Sequence, residues 1–152
     1  MIVIKPMEAA HLTAVHEIER ECFSTPWSIE ALEAELSRES GLSHYLVAVL
    51  LQAFCAPQVI GYIGMWKGLE EGNINNLAVR EAHRRRKVAS SLLEHIKERA
   101  TAHSITALTL EVRVSNLSAQ QLYTQHSFEI IGRRKGYYAD TGEDAYIMRK
   151  AI

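Results

Sequence analysis

A chain of 152 residues, 47% apolar and 23% charged, is long enough to bury a core and has the balance of a soluble globule. Its net charge of −1 speaks against a general nucleic-acid binder, and its two cysteines, Cys22 and Cys55, form neither a metal-ligand spacing nor a disulfide framework. Lys5 interrupts the opening apolar residues before an export signal can form, and the run from Tyr45 to Leu51 is too short to span a membrane. These features lead us to expect one reduced, cytoplasmic domain over residues 1–152, with no metal, no membrane contact and no direct nucleic-acid partner.

Ile2 to Lys5 reads as a short strand. Leu12, Val15, Ile18 and Cys22 recur at helical spacing within residues 8–22. Pro26 bars continuation of that helix and pushes Thr25 toward extended geometry. Ser28 suits the N-cap of a second helix carrying Ile29, Leu32 and Leu36, which Ser40-Gly41 ends. Phe23 and Trp27 flank the rigid turn; they either line a pocket or clamp the two helices together. Strands follow at His44–Leu51 and Val59–Lys67, with turns at Ala56-Pro57-Gln58 and Gly68–Gly72.

The stretch from Asn73 to Ala100 organises the rest. Asn73 to Val79 alternates as a half-buried strand does, and Ala89, Leu92, Leu93, Ile96 and Ala100 draw one stripe along a helix. Between them lie Arg80, Arg84, Arg85, Arg86 and Lys87. Cations at a helix N-terminus oppose the helix dipole, so this placement suggests an anion there, with phosphate the natural one. The alternative is a solvated turn whose charges only keep the surface wet.

Ile105 to Val114 then alternates, with Leu108, Leu110, Val112 and Val114 on one face and Thr109, Glu111 and Arg113 on the other. Asn116 suits the N-cap of a helix bearing Ala119, Leu122 and Tyr123. A strand runs from Phe128 through Tyr137-Tyr138, Asp140-Thr141-Gly142 turns, and Ala145–Lys150 closes. The expected fold is α/β, a mixed sheet in one domain, in the order β-α-α-β-β-β-α-β-α-β-β. No Gly-x-Ser-x-Gly elbow, His-Glu-x-x-His or phosphate-loop motif occurs, so serine hydrolase, zinc enzyme and P-loop readings lack support.

That element order resembles the GNAT acetyltransferases, which use acetyl-CoA. The turn Arg84-Arg85-Arg86-Lys87-Val88-Ala89 resembles the family's pyrophosphate signature, Gln/Arg-x-x-Gly-x-Gly/Ala. Leu110-Glu111-Val112-Arg113-Val114-Ser115-Asn116, with Ala119 and Leu122-Tyr123, is similar to the RimI branch. Pro26-Trp27, Tyr137-Tyr138 and Glu143-Asp144-Ala145 resemble that branch too. It acetylates the N-terminal alanine of a small-subunit ribosomal protein, S-eighteen.

The resemblance implies catalytic roles for Glu111, as the carboxylate that helps an amine lose its proton, and Tyr123, as donor to the leaving thiolate. It implies acetyl-CoA contacts from Leu77, Ala78, Val79, Arg85, Arg86, Lys87, Val88, Ala89, Ser90 and Asn116. Phe23, Trp27, Tyr137 and Tyr138 are expected to line the substrate site. Two departures stand out: Lys87 and Ser127 occupy positions where the family has glycine. From the residues alone, without the resemblance, Glu111 reads as a solvent-facing charge paired with Arg113, and Tyr123 as a helix tyrosine packed on the core. Acetylation of another amine and a non-catalytic acetyl-CoA-binding module remain the alternatives, and a monomer or weak dimer is expected.

Overall fold

The computed structural model describes residues 1–38 and 41–152. The strands are β1 (Ile2–Pro6), β2 (Ser43–Leu50), β3 (Gln58–Lys67), β4 (Glu71–Val79), β5 (Ala107–Arg113), β6 (Glu129–Tyr138) and β7 (Glu143–Ala151). The helices are α1 (Leu12–Cys22), α2 (Ile29–Leu36), α3 (Val88–Ala102) and α4 (Leu117–Gln125). Their order along the chain is the expected one, and boundaries move by a few residues. The helix expected from residue 8 begins as a 3₁₀ turn over Ala9–His11, where the His11 ring accepts the Glu8 amide at 2.9 Å. Ser28 caps α2 through its hydroxyl, which accepts the Ala31 amide. The stop expected at Ser40 lies outside the described residues; α2 ends at Leu36.

The sheet runs β1-β2-β3-β4-β5-β7-β6, antiparallel except for the β4–β5 pair. Helices cover both faces. Val15, Ile18 and Leu32 of α1 and α2 pack on Tyr45, Val47, Tyr62 and Ala78. Val88, Leu92, Leu93 and Ile96 of α3, with Tyr123 of α4, pack on Ile63, Ile74, Leu108 and Leu110. Such large apolar side chains each stabilise the fold by roughly 1.5–3 kcal/mol when fully buried.

Two irregularities in β4 position everything that follows. Opposite β3, Met65 pairs with Ile74 and Gly64 with Asn76, which leaves Asn75 as a bulge. The bulge exchanges the faces of the strand: Ile74 points into the α3 side, whereas Asn76 and Ala78 turn to the α1 side. Gly64 sits beneath it, and a Cβ there would lie 2.3 Å from the Tyr45 ring and 2.8 Å from Asn75 Oδ1. The second irregularity is the short parallel pairing. β4 and β5 hold register from Glu71↔Ala107 only to Ile74↔Leu110, then separate. A cleft in the middle of a sheet is the result.

Candidate active site

The separated ends of β4 and β5 open a cavity of about 640 Å³. Its walls are Asn75, Asn76 and Leu77 from β4, and Glu111, Val112 and Arg113 from β5. Asn116 and Tyr123 of α4 stand on one side. Phe23 and Trp27, from the turn between α1 and α2, stand on the other. α1 ends at Cys22 with Phe23 extended, Pro26 lies in the turn that follows, and both aromatic residues line the pocket. Trp27 also packs against Trp66, with ring centroids 6.3 Å apart.

Glu111 lies on the cavity wall and does not pair with Arg113. Its Oε2 accepts a hydrogen bond from Asn73 Nδ2 at 3.3 Å, and its Oε1 is 3.8 Å from Arg134 Nε. Arg113 is engaged elsewhere, donating to Asp140 at 2.7 Å and to Glu143 at 3.3 Å, with its guanidinium 4.0 Å from the centre of the Tyr138 ring. Pairing by sequence proximity on one strand face pointed to the wrong partner, because the β6–β7 hairpin brings two carboxylates closer. Hydrogen bonds from Ser24 and Arg113 hold the Asp140 carboxyl below the usual carboxylate range. Ser24 reaches Asp140 at 2.7 Å across 116 residues of sequence, tying the α1–α2 turn to the hairpin at the mouth of the cavity.

Tyr123 faces the same cavity from α4 and is buried. Burial pushes its hydroxyl well above the ordinary phenol range, so it stays protonated, as a proton donor must. Its placement depends on how α4 ends. The Phe128 amide donates to the Tyr123 carbonyl at 2.9 Å and the Ser127 amide to the Thr124 carbonyl at 3.0 Å. With the Tyr123–Phe128 ring contact at 5.9 Å, this is a Schellman stop. The stop requires a left-handed residue, and Ser127 supplies it at φ +68°. A residue with a Cβ is strained there by roughly 1–2 kcal/mol. Ser127→Gly is therefore expected to raise unfolding free energy by about 1 kcal/mol without altering activity, measured by denaturant titration of both forms.

The basic turn divides into two groups. Arg80 is used structurally, donating to the Val59 carbonyl at 2.9 Å and pairing with Glu17 at 3.1 Å. Arg84 folds back onto the Val79 carbonyl and Cys22 Sγ. Arg85, Arg86 and Lys87 are exposed, and among the described residues none of them has an acidic partner. Arg85 and Lys87 both have left-handed backbones, at φ +65° and +60°, and Lys87 occupies the N-cap of α3. No side chain caps that helix, so its first amides, at Val88, Ala89 and Ser90, point outward without helical partners. The Val88 side chain is buried in the core, and Ala89 packs against it. The Ser90 hydroxyl lies 3.0 Å from His126 Nε2. A helix N-terminus, an alternating turn and uncompensated cations together suit an anion such as a diphosphate.

Not every expected residue reaches the cavity. Tyr138 lines it, with burial pushing its hydroxyl up to about 12, whereas Tyr137 is 48% exposed and stacks edge-on against Tyr138 from outside. Ala78 and Val79 face the cores on either side, and the Val79 carbonyl is already taken by Arg84. Asn116 lines the cavity while its side chain caps α4 by accepting the Ala119 amide at 3.2 Å. Sequence reasoning missed Glu19, Asn75 and Asn76. Glu19 was legible, since it lies four residues after Val15 and three before Cys22, on the buried stripe of α1. Among the described residues, no group of three His, Cys, Asp or Glu able to hold a metal occurs, and no helix is long and apolar enough to cross a membrane.

Comparison with known proteins agrees with this geometry. An Escherichia coli (strain K12) [ribosomal protein bS18]-alanine N-acetyltransferase is 32% identical over 100% of this chain and 99% of its own. A Bacillus subtilis (strain 168) protein, provisionally given the same name, is 34% identical over 95% of this chain and 92% of its own. The crystal structure of the ribosomal-protein-S18-alanine N-acetyltransferase from Escherichia coli superposes with a TM-score of 0.85 at 27% identity, covering 100% of this chain and 94% of that one. The family described as "Acetyltransferase (GNAT) family" matches residues 12–128. A sheet opened between β4 and β5, an uncapped α3 behind a basic turn and this match agree: the chain belongs to the acetyltransferase (GNAT) family.

Proposed function

We propose that this acetyl-CoA-dependent N-acetyltransferase modifies the N-terminal alanine of ribosomal protein bS18, in the cytoplasm, and that residues 1–152 form one catalytic domain. The observation that carries the reading is the cavity that gathers Glu111, Tyr123, Trp27 and Tyr138 between β4 and β5. The names of the full-length relatives support the substrate. An α-amino group has a pKa of about 8 against about 10.4 for lysine, so a carboxylate is a strong enough base for the proton it loses as it attacks. Acetyl-CoA supplies the thioester to be attacked. In this chain Glu111 accepts the amine's proton and Tyr123 protonates the departing thiolate. Arg85, Arg86 and the Val88–Ser90 amides hold the diphosphate, and Leu77 and Asn116 border the acyl-bearing arm. Phe23, Trp27 and Tyr138 flank the incoming peptide. Incubation with acetyl-CoA and a panel of N-terminal peptides, read by mass spectrometry, tests this. Acetylation of Ala-Arg-Tyr-Phe at its α-amine is expected; a protein that ignores it and acetylates lysine side chains or small amines refutes the substrate.

Lys87 is the departure that bears on affinity. Its ammonium attracts a diphosphate, but surface attraction is screened over about 8 Å at physiological salt, and two arginines already serve the site. Its left-handed backbone and the crowding by its Cβ are not screened. Lys87→Gly is expected to tighten acetyl-CoA binding several-fold by calorimetry at low and high salt. Weaker binding that recovers as salt rises would make Lys87 a phosphate ligand instead.

A further inference from the structure

Beneath the β4 bulge lies a polar seam that the mechanism above does not use. Glu19 of α1 is fully buried and borders the cavity. Its Oε1 accepts the Tyr62 hydroxyl at 2.5 Å and Asn76 Nδ2 at 2.6 Å. Its Oε2 is enclosed and makes no well-formed hydrogen bond, although the Trp27 backbone amide approaches the carboxylate. Asn75, on the same cavity wall, gives Nδ2 to the Tyr45 hydroxyl at 2.8 Å and leaves its buried Oδ1 equally unpartnered. Tyr45 and Tyr62 stack with centroids 6.5 Å apart. A buried polar atom without a partner is uncommon in a native fold. Here two of them border one cavity, and both are acceptors. The species that satisfies such a wall is a donor-rich cation or a water relaying its proton. Because two donors saturate Oε1, an incoming proton goes to Oε2.

Acetylation of an α-ammonium removes two protons from one nitrogen. The first must leave before attack, because a charged ammonium has no lone pair. The second leaves as the new C–N bond forms and the C–S bond breaks. Glu111, on the opposite wall, suits the second. We propose that Glu19 Oε2 takes the first, through a water at the floor of the cavity, and later returns it to solvent. In this step R–NH₃⁺ and the Glu19 carboxylate give R–NH₂ and the Glu19 carboxylic acid, with no other bond changed. Burial, opposed by the Tyr62 and Asn76 hydrogen bonds, raises the affinity of this carboxylate for a proton above the ordinary range. The titratable groups facing it are Tyr62 from β3, His16 and Cys22 from its own helix, and Tyr45 behind Tyr62; the Trp27 backbone closes the remaining side.

The inference rests on an amine being acetylated at this site, so it is read on whichever amine the wild-type protein accepts. Glu19→Gln retains an acceptor for Tyr62 and Asn76 but cannot take the proton. With an α-amine of pKa ~8, roughly a tenth is neutral at pH 7, so losing this step costs kcat/KM about tenfold at pH 7. The loss shrinks to within twofold at pH 9, where the amine is already neutral. Acetyl-CoA affinity stays within twofold and Tm is equal or higher, since a carboxyl whose folded pKa is raised weakens the fold above that pKa. A loss of less than threefold at pH 7, or one of equal size at both pH values, overturns the proposal, the latter marking Glu19 as structural only. A wild-type protein that rejects the peptide but accepts another amine refutes the peptide assignment without touching this one.

Discussion

Glu111→Gln is expected to lower kcat/KM for the acceptor peptide by about 10²–10⁴-fold, the usual cost of losing a general base. Acetyl-CoA binding should change little. Glu111 lies on β5 at the cavity, whereas the amides and cations suited to a diphosphate belong to the turn before α3. The substitution is close to isosteric and keeps an acceptor for Asn73, so the strand should hold its place. What it removes is the ability to take a proton while the nitrogen attacks. That need does not disappear at high pH, because even a neutral amine becomes cationic as its bond to carbon forms. The loss should therefore persist from pH 6 to pH 9, unlike the pH-limited loss expected of Glu19→Gln. Near-normal kcat/KM across that range would remove Glu111 from the mechanism.

The elements of this fold were legible because each carries its own local signal. The stripe on α3, the alternation of β5 and the Pro26 break need no distant partner to be read. Asn116 and Ser28 likewise announce their helices by capping chemistry. Side-chain partnerships were less legible, for a physical reason. Glu111 meets Asn73 and Arg134, and Glu19 meets Tyr62 and Asn76, across 43 and 57 residues for the second pair of contacts. Such contacts depend on strand order and register. The bulge at Asn75 was the least legible feature. One unpaired residue turns Asn76 to the α1 side, and simple alternation along β4 gives the opposite face. Lys87 and Ser127 were legible in another way: glycine was the expected residue at each, and both backbones are left-handed. The fold retains the conformation and carries a side chain within it.

Tyr123→Phe is expected to slow acetyl transfer by about 10²-fold while leaving fold and acetyl-CoA affinity nearly intact. The ring is what packs: Tyr123 joins the core cluster and meets Phe128 edge-on across the Schellman stop, and phenylalanine keeps both contacts. Its hydroxyl forms no hydrogen bond that shifts its proton affinity; burial comes first and Tyr138 second in holding the proton on. Removing it thus leaves no buried partner unsatisfied, and Tm should move by less than a few degrees. The hydroxyl faces the cavity, where a departing thiolate needs a proton. An ordinary thiol, with a pKa near ~8.5, still leaves as an anion in part at neutral pH, which limits the penalty to less than that of losing the base. The measurement is single-turnover acetyl transfer, because steady-state rates also contain product release. Because the thiolate needs no proton above the thiol's own pKa, the defect should be largest at neutral pH and shrink as pH rises through that range. Equal single-turnover rates for the two forms would assign thiolate protonation to solvent and reduce Tyr123 to a core residue that happens to face the cavity.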